Sequence, residues 1–187
     1  HKWVLEGLFG PSYKIIKTDE LMDKGYLSKL NIKILILKHK AKKFGTYEDE
    51  IQYLISHEQR NNFIKNLTID QKGNTLILYT RVESHGQILY DLINSSKEDN
   101  RRCFFVHGGI ATFEREQVRE ITENENNAII IASYGTFSTG INIKNLHNVI
   151  FASPNKSKIR NLQSIGRVLR KGNNKNRAIL FDIADDI

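Results

Sequence analysis

Compact apolar runs recur along the chain at residues 75–79, 103–106, 128–132, 148–151 and 178–181, and an earlier run of Leu and β-branched residues occupies 32–37. Runs this short, rich in Ile, Val and Phe and bounded by polar residues or glycine, predict strands. Between them, apolar residues recur at helical spacing over 84–94, 112–123 and 157–170. They do so again over 46–67, where Tyr47, Ile51, Leu54 and Ile55 share one face and Phe63, Ile64 and Leu67 follow. The first thirty residues hold only short apolar fragments, broken by Gly7, Gly10-Pro11 and Gly25, and predict a lead-in of loops and short helices. Strands that are apolar throughout, alternating with helices, predict an α/β domain with a mostly parallel sheet covered by helices on both faces. Residues 1–30 then form a lead-in and residues 31–187 one domain.

In a sheet of this kind the ligand site lies beyond the carboxyl ends of the strands. That places it in the loops holding Thr80-Arg81, His107-Gly108-Gly109, 133–142 and 153–158. Small and polar residues gather there, as at a site rather than in plain connectors. Tyr79, at the end of its run, can serve the core or stack on a base.

Charge sharpens this picture. There are 28 Lys and Arg against 21 Asp and Glu, a net +7, which suits a polyanionic partner such as nucleic acid, although a basic protein without one has the same balance. The tract Lys38-His39-Lys40-Ala41-Lys42-Lys43 reads as a solvated face, with direct DNA contact as the sharper alternative. The single cysteine, Cys103, excludes an internal disulfide and reads as a core filler in a reducing, cytoplasmic setting. No apolar run approaches the ~20 residues that cross a bilayer, and no signal-peptide pattern opens the chain, so no membrane partner is expected. The opening His1-Lys2, without Met, reads as part of something larger. The histidines lack zinc-ligand spacing, and no metal site is expected. Ser133, Ser138 and Thr139 have no paired histidine and acid for nucleophilic catalysis. Asp182, Asp185 and Asp186 read as a solvated edge.

The segment 157–170 carries the most chemistry. As one helix it sets Arg160, Gln163, Arg167 and Arg170 in a stripe at i, i+3, i+7 and i+10. Ile159, Leu162, Ile165 and Leu169 form a separate apolar stripe that binds the sheet. Gly166 costs about 1 kcal/mol inside a helix relative to alanine, which predicts a second surface approaching closely there. Arginines in a row suit a polyphosphate, because the guanidinium is planar, always charged and able to bond in pairs. A solvated basic face has the same spacing.

Gln163, Gly166, Arg167 and Arg170 resemble motif VI of the superfamily 2 helicases, Q-x-x-G-R-x-x-R. The family's other second-domain motifs stand before it in order. Residues 75–80 (Thr-Leu-Ile-Leu-Tyr-Thr) resemble motif IV. Val106-His107-Gly108-Gly109 with Glu114-Arg115-Glu116 resembles the H-G…E-R-E block, and residues 130–143 resemble motif V. Leu8-Phe9-Gly10-Pro11 and residues 21–27 resemble the stretch after motif III that leads from the first motor domain into the second. The likeness covers essentially the whole chain and extends to a phage member of the family, especially in residues 137–141, 144–147 and 166–171.

The resemblance implies a single RecA-like domain, the second motor domain of an ATP-dependent DNA helicase or translocase acting on forked or branched DNA in replication, recombination or repair. It implies Arg170 as the arginine finger, Arg167 on the γ-phosphate and Gln163 beside them, with Gly140 and Asn142 near the ribose. Thr80, Arg81, His107, Gly108, Ser133 and Thr136 then meet the nucleic-acid backbone. Small hydroxyls and free N–H groups suit phosphates without reading sequence. Two departures stand out: Asn142 replaces an Asp common in the family, and Ser133 replaces Thr but keeps the hydroxyl. No G-x-x-x-x-G-K-[ST] loop and no D-E-x-[DH] block is present. ATP with Mg²⁺ is therefore expected to be held mainly by an N-terminal RecA-like domain of the same protein, and the isolated chain is expected to be inactive. The alternatives are an RNA helicase, a restriction-type translocase motor, or a nucleic-acid-binding module without ATPase competence.

Overall fold

The computed structural model describes residues 2–11, 17–40, 42–140, 143–154, 158–168, 170–171, 175 and 177–187; the side chains of 2, 5, 9, 138–140, 158–160, 162 and 163 lie outside that description. Two short helices, α1 (Lys2–Phe9) and α2 (Thr18–Asp23), precede the sheet. Then come β1 (Lys29–Lys38), α3 (Tyr47–Ser56), α4 (Glu58–Asp70), β2 (Thr75–Tyr79), α5 (Gln87–Ser96), β3 (Cys103–Val106) and α6 (Thr112–Asn124). The chain continues through β4 (Ile129–Ser133), α7 (Tyr134–Gly140), β5 (Asn148–Phe151), α8 (Lys158–Val168) and β6 (Arg177–Asp186). The described strands form one sheet in the order β1-β6-β5-β2-β4-β3, and every pairing is parallel.

The central strands β2 and β5 are buried along their whole length and β4 along nearly all of it, which is why their sequence is apolar without alternation. One face of the sheet packs Leu76, Leu78, Ile130, Val149 and Phe151 against Val118 of α6, Phe137 of α7 and Val168 of α8. The other packs Ile77, Tyr79, Ile129, Ile131 and Phe181 against Ile64 of α4 and Leu89 and Ile93 of α5. Each such side chain contributes about 1.5–3 kcal/mol when fully buried. Tyr79 belongs to this core, with its hydroxyl donating to the Val106 carbonyl at 3.4 Å. Cys103 packs there too, and burial pushes its thiol up to about 12, which removes it from nucleophilic chemistry.

Several expectations change. The helix predicted over 46–67 is two helices, broken at His57, whose backbone is extended (φ −72°, ψ 108°). The His57 ring accepts the Arg60 N–H at 3.3 Å, a local bond that starts a new helix instead of continuing the old one. The loop expected at 133–142 contains α7, because the Ser133 hydroxyl accepts the Thr136 N–H at 3.2 Å and caps its first turn. The run at 84–94 opens with a single π-helical turn, Val82–Gly86, before α5. The edge strand β1 and its neighbour β6 each run for 10 residues, beyond the apolar cores that predicted them, in register from Lys29↔Arg177 to Lys38↔Asp186. On β1 the side chains of Ile32, Ile34 and Ile36 are more than half exposed.

Candidate nucleotide and nucleic-acid interface

The carboxyl ends of β3, β4, β2 and β5 lie side by side. Register sets His107 and Ser133 level with Tyr79, and Ser153 level with Thr80. Neighbouring strands are about 4.8 Å apart, so His107, Ser133 and Thr80 share a strip about 10 Å wide. Thr80 and Gly108 are exposed, and apart from its chain neighbours no described residue lies within 4 Å of a Cβ built on Gly108. His107 packs its ring 5.1 Å from Phe105 and accepts the Gly109 N–H at 3.2 Å, which folds the glycine loop back on its own strand. Ser133 and Thr136 hydrogen-bond through their hydroxyls at 2.8 Å, and Thr136 is buried. Arg81, half-exposed, pairs with Glu48 of α3.

Beneath Thr80 lies a relay of neutral groups. Its N–H donates to the Ser153 hydroxyl at 3.2 Å, and that oxygen lies 2.8 Å from His85 Nδ1. His85 Nε2 lies 3.2 Å from Asn61 Oδ1, while the Asn61 amide nitrogen donates to the Ile55 carbonyl at 2.8 Å. An amide oxygen only accepts, so Nε2 carries the proton and Nδ1 accepts from Ser153. Burial, with Arg60 nearby, pushes His85 down to about 3 and keeps it neutral. The π-helical turn makes this possible. It packs Gly86 against the Tyr79 ring, where an added Cβ would lie 2.5 Å from ring carbons, and carries His85 inward.

The same edge holds a buried ion group that the sequence reads otherwise. Asp185 is not solvated: its side chain is 4% exposed and accepts from Arg60 Nε at 2.9 Å and from His39 Nε2 at 2.8 Å. Arg60 also donates through Nη1 to the Ala152 carbonyl at 2.7 Å. His39 therefore leaves the solvated basic tract, because the β1–β6 pairing carries it against Asp185. Lys38 and Lys40 on either side stay exposed. Burial raises the Asp182 carboxyl.

Motif VI rests on the opposite face. α8 ends at Val168, so Arg170 lies past the helix and not on its stripe; there its backbone forms an isolated antiparallel bridge with Leu27. Arg167 places its guanidinium 5.9 Å from the Phe137 ring centre, joining α8 to α7. Burial and the neighbouring Arg170 both lower the Arg167 proton affinity, so two like charges stand together. Ile165 and Val168 seat α8 on the sheet. Gly166 is exposed, and among the described residues, its own helix backbone aside, nothing lies within 4 Å of a built Cβ, so none of them makes the close approach expected there. Asn142 and Leu169, and the side chains of Arg160, Gln163, Ile159 and Leu162, lie outside the described residues, as does any side-chain detail at Gly140. Among the described residues no group of three or more His, Cys, Asp or Glu is arranged to hold a metal, and no helix is long and apolar enough to cross a membrane.

Sequence reasoning missed Asn61, Arg60, His85 and Lys175. Their roles depend on contacts between residues distant in the chain, and no spacing rule links Thr80 to Ser153 or Arg60 to Asp185.

A parallel α/β sheet with small polar loops at one end, and on one face a helix that carries Arg167 and leads into Arg170, is the architecture of the second RecA-like domain of helicases. The chain belongs to the helicase conserved C-terminal domain family, which it matches over residues 58–172. It is 37% identical over 187 residues to the ATP-dependent DNA helicase UvsW of Enterobacteria phage T4, an alignment covering 96% of this chain and 36% of that protein. It is 31% identical over 132 residues to protein L396 of Acanthamoeba polyphaga mimivirus, whose name assigns it provisionally to the ATP-dependent RNA helicases; 68% of this chain and 23% of L396 are covered. The crystal structure of T4 UvsW superposes with a TM-score of 0.70 at 36% identity, over 86% of this chain and 33% of that one. The DNA-bound restriction-modification enzyme LlaBIII superposes at 0.62 with 15% identity, over 96% of this chain and 13% of that one, which shows the fold alone. The chain thus spans about a third or less of the relatives it matches.

Proposed function

We propose that the chain is the second motor domain of an ATP-dependent DNA helicase or translocase working on forked or branched DNA. The observation that carries this reading is the Arg167–Arg170 pair. The two stand at the end of α8 in the stretch that matches the helicase C-terminal family, and neighbouring guanidiniums suit a polyphosphate because each is planar, charged and able to bond in pairs. ATP with Mg²⁺, held mainly by a first RecA-like domain, supplies the phosphoryl-transfer chemistry. Arg170 neutralises charge developing on the γ-phosphate, and Arg167 binds the same phosphate from its place over Phe137. Gln163 assists them, and Gly140 and Asn142 sit by the ribose.

On the sheet edge, Thr80, Arg81, His107, Gly108, Ser133 and Thr136 contact one nucleic-acid backbone. Closure of the two domains on ATP and reopening after release move that strand. Such contacts do not identify the sugar, so an RNA substrate is the second reading, favoured by the mimivirus relative's name.

The test is ATP hydrolysis by the full-length protein with forked DNA, single-stranded DNA and RNA, in wild type and Arg170→Ala. Loss of an arginine finger reduces turnover by about 10³–10⁵-fold. Unchanged hydrolysis in Arg170→Ala sinks the motor reading and leaves a binding module. The polymer that stimulates wild type most names the substrate.

A further inference from the structure

The carboxyl end of α8, from which Arg167 and Arg170 project, is held by a group outside both motifs. Lys175 is 1% exposed, and its Nζ donates to the carbonyls of Val168, of Arg170 at 3.1 Å and of Lys144 at 3.3 Å. An ammonium has three protons, and here each meets a backbone oxygen. The last carbonyls of a helix have no partner within it and carry partial negative charge, so a cation there is favourable. Val168 and Arg170 flank the point where α8 ends, and Lys144 follows motif V. From the other side, the Ser28 hydroxyl lies 3.5 Å from the Arg170 carbonyl and 3.4 Å from that of Lys175, beside the Leu27–Arg170 bridge. The Arg170 backbone is thus clamped between residues 27–28 of the lead-in and the Lys175 ammonium.

We infer that Lys175 is a positioning residue for ATP turnover: its charged Nζ ties the end of α8 to the segment after motif V and so sets where Arg170 stands. The inference rests on Arg170 being the arginine finger. A neutral amine has two donors and a lone pair, and that lone pair would face a carbonyl oxygen. Loss of the proton therefore opens the clamp.

Burial pushes Lys175 down to about 8, with Glu123 of α6 partly opposing it. The other titratable group facing it is His147, which burial and Lys175 itself hold below its ordinary value and so neutral above neutral pH. Between pH ~7 and ~9, then, Lys175 is the group in this cluster that changes charge. The sign is diagnostic. The unfolded chain keeps this proton to about pH 10.4 while the folded chain releases it near 8, so stability rises with pH across that window. Turnover falls across the same window, because the clamp needs the charge. A merely structural lysine would raise stability in the same way but leave turnover level across the window.

The experiment is DNA-stimulated hydrolysis and thermal melting of the full-length protein from about pH 6.5 to 9.5, for wild type, Lys175→Met and Lys175→Arg. Wild-type kcat falls through an apparent pKa near 8 with the KM for ATP little changed and no loss of melting temperature. Lys175→Arg, which keeps its charge, shows no alkaline fall. Lys175→Met is pH-independent and about 10–100-fold slow at pH 7, the scale of a displaced catalytic group. An alkaline limb unaltered in Lys175→Arg, or wild-type turnover in Lys175→Met, overturns the inference. If Lys175→Met does not fold, the Lys175→Arg profile decides alone. Wild-type turnover in Arg170→Ala overturns the finger reading beneath it, whereas collapse there with indifferent Lys175 variants overturns only the positioning role.

Discussion

The loop after β2 and the end of α8 are each held by a buried nitrogenous side chain, and the two holds differ in kind. His85 supports Thr80 as a neutral ring between Ser153 and Asn61, with every bond inside the chain. Lys175 supports Arg170 as a cation among carbonyls, and the arginines it positions form a like-charged pair. The difference follows from what each side meets. The loop after β2, proposed to meet a nucleic-acid backbone, is held as preset geometry, and neutral buried hydrogen bonds fix geometry at little electrostatic cost. The Arg167–Arg170 pair, proposed to meet phosphate, sets two like charges side by side, and its support carries a charge of its own among backbone carbonyls.

Substitutions separate the two sides. The largest effect is Arg170→Ala, which costs about 10³–10⁵-fold in turnover while moving stability by less than ~0.5 kcal/mol, as for an exposed position; a large drop in melting temperature would erase the contrast. His85→Leu acts in the opposite sense. It leaves Ser153 and Asn61 without their buried partner, at about 1–3 kcal/mol for each orphaned group, so the denaturant midpoint falls and the concentration of DNA needed for half-stimulation rises. Normal stability in that variant would show that the relay carries no load.

The same histidine predicts acid sensitivity. It stays neutral in the folded chain down to about pH 3 but takes a proton near 6.5 when unfolded. Stability is therefore complete above pH ~6.5 and declines as pH falls toward 3, by up to about 1.4 kcal/mol per unit from this group. His85→Leu should remove that slope in denaturant titrations across this range. Smallest is Gly86→Ala. Its helical backbone tolerates alanine (φ −59°, ψ −46°), but the new Cβ meets the Tyr79 ring at 2.5 Å, a clash worth about 1–3 kcal/mol in melting experiments. A neutral outcome would mean that Tyr79 can shift and that the π-helical turn is not set by this contact.

The parallel sheet and its motif order were legible because fully buried strands leave unbroken apolar runs and loops at their carboxyl ends leave glycines and hydroxyls. β2, β3 and β5 match their expected bounds for that reason. The ends of β1 and β6 were not legible, since Lys29, Lys38 and Asp185 read as polar flanks; the pairing extends through them, and of the three only Asp185 has a buried side chain. The break at His57 was hidden because apolar spacing continues across it. The stripe on α8 misplaced Arg170 because sequence spacing assumes that a helix continues, and a lysine five residues further on binds the carbonyls at its end.

The pairing of β1 with β6 also bears on how the chain is made. These strands are joined along ten residues each, yet Lys38 and its partner Asp186 are 148 positions apart (186 − 38). At about 5–20 residues per second on the ribosome, β1 waits roughly 7–30 s for its neighbour to emerge. Throughout that interval Ile32, Ile34, Leu35, Ile36 and Leu37 form an unpaired apolar strand, the kind of edge that captures other chains. Lys29, Lys33 and Lys38, exposed and spaced along it, are the kind of charged residue that discourages such capture.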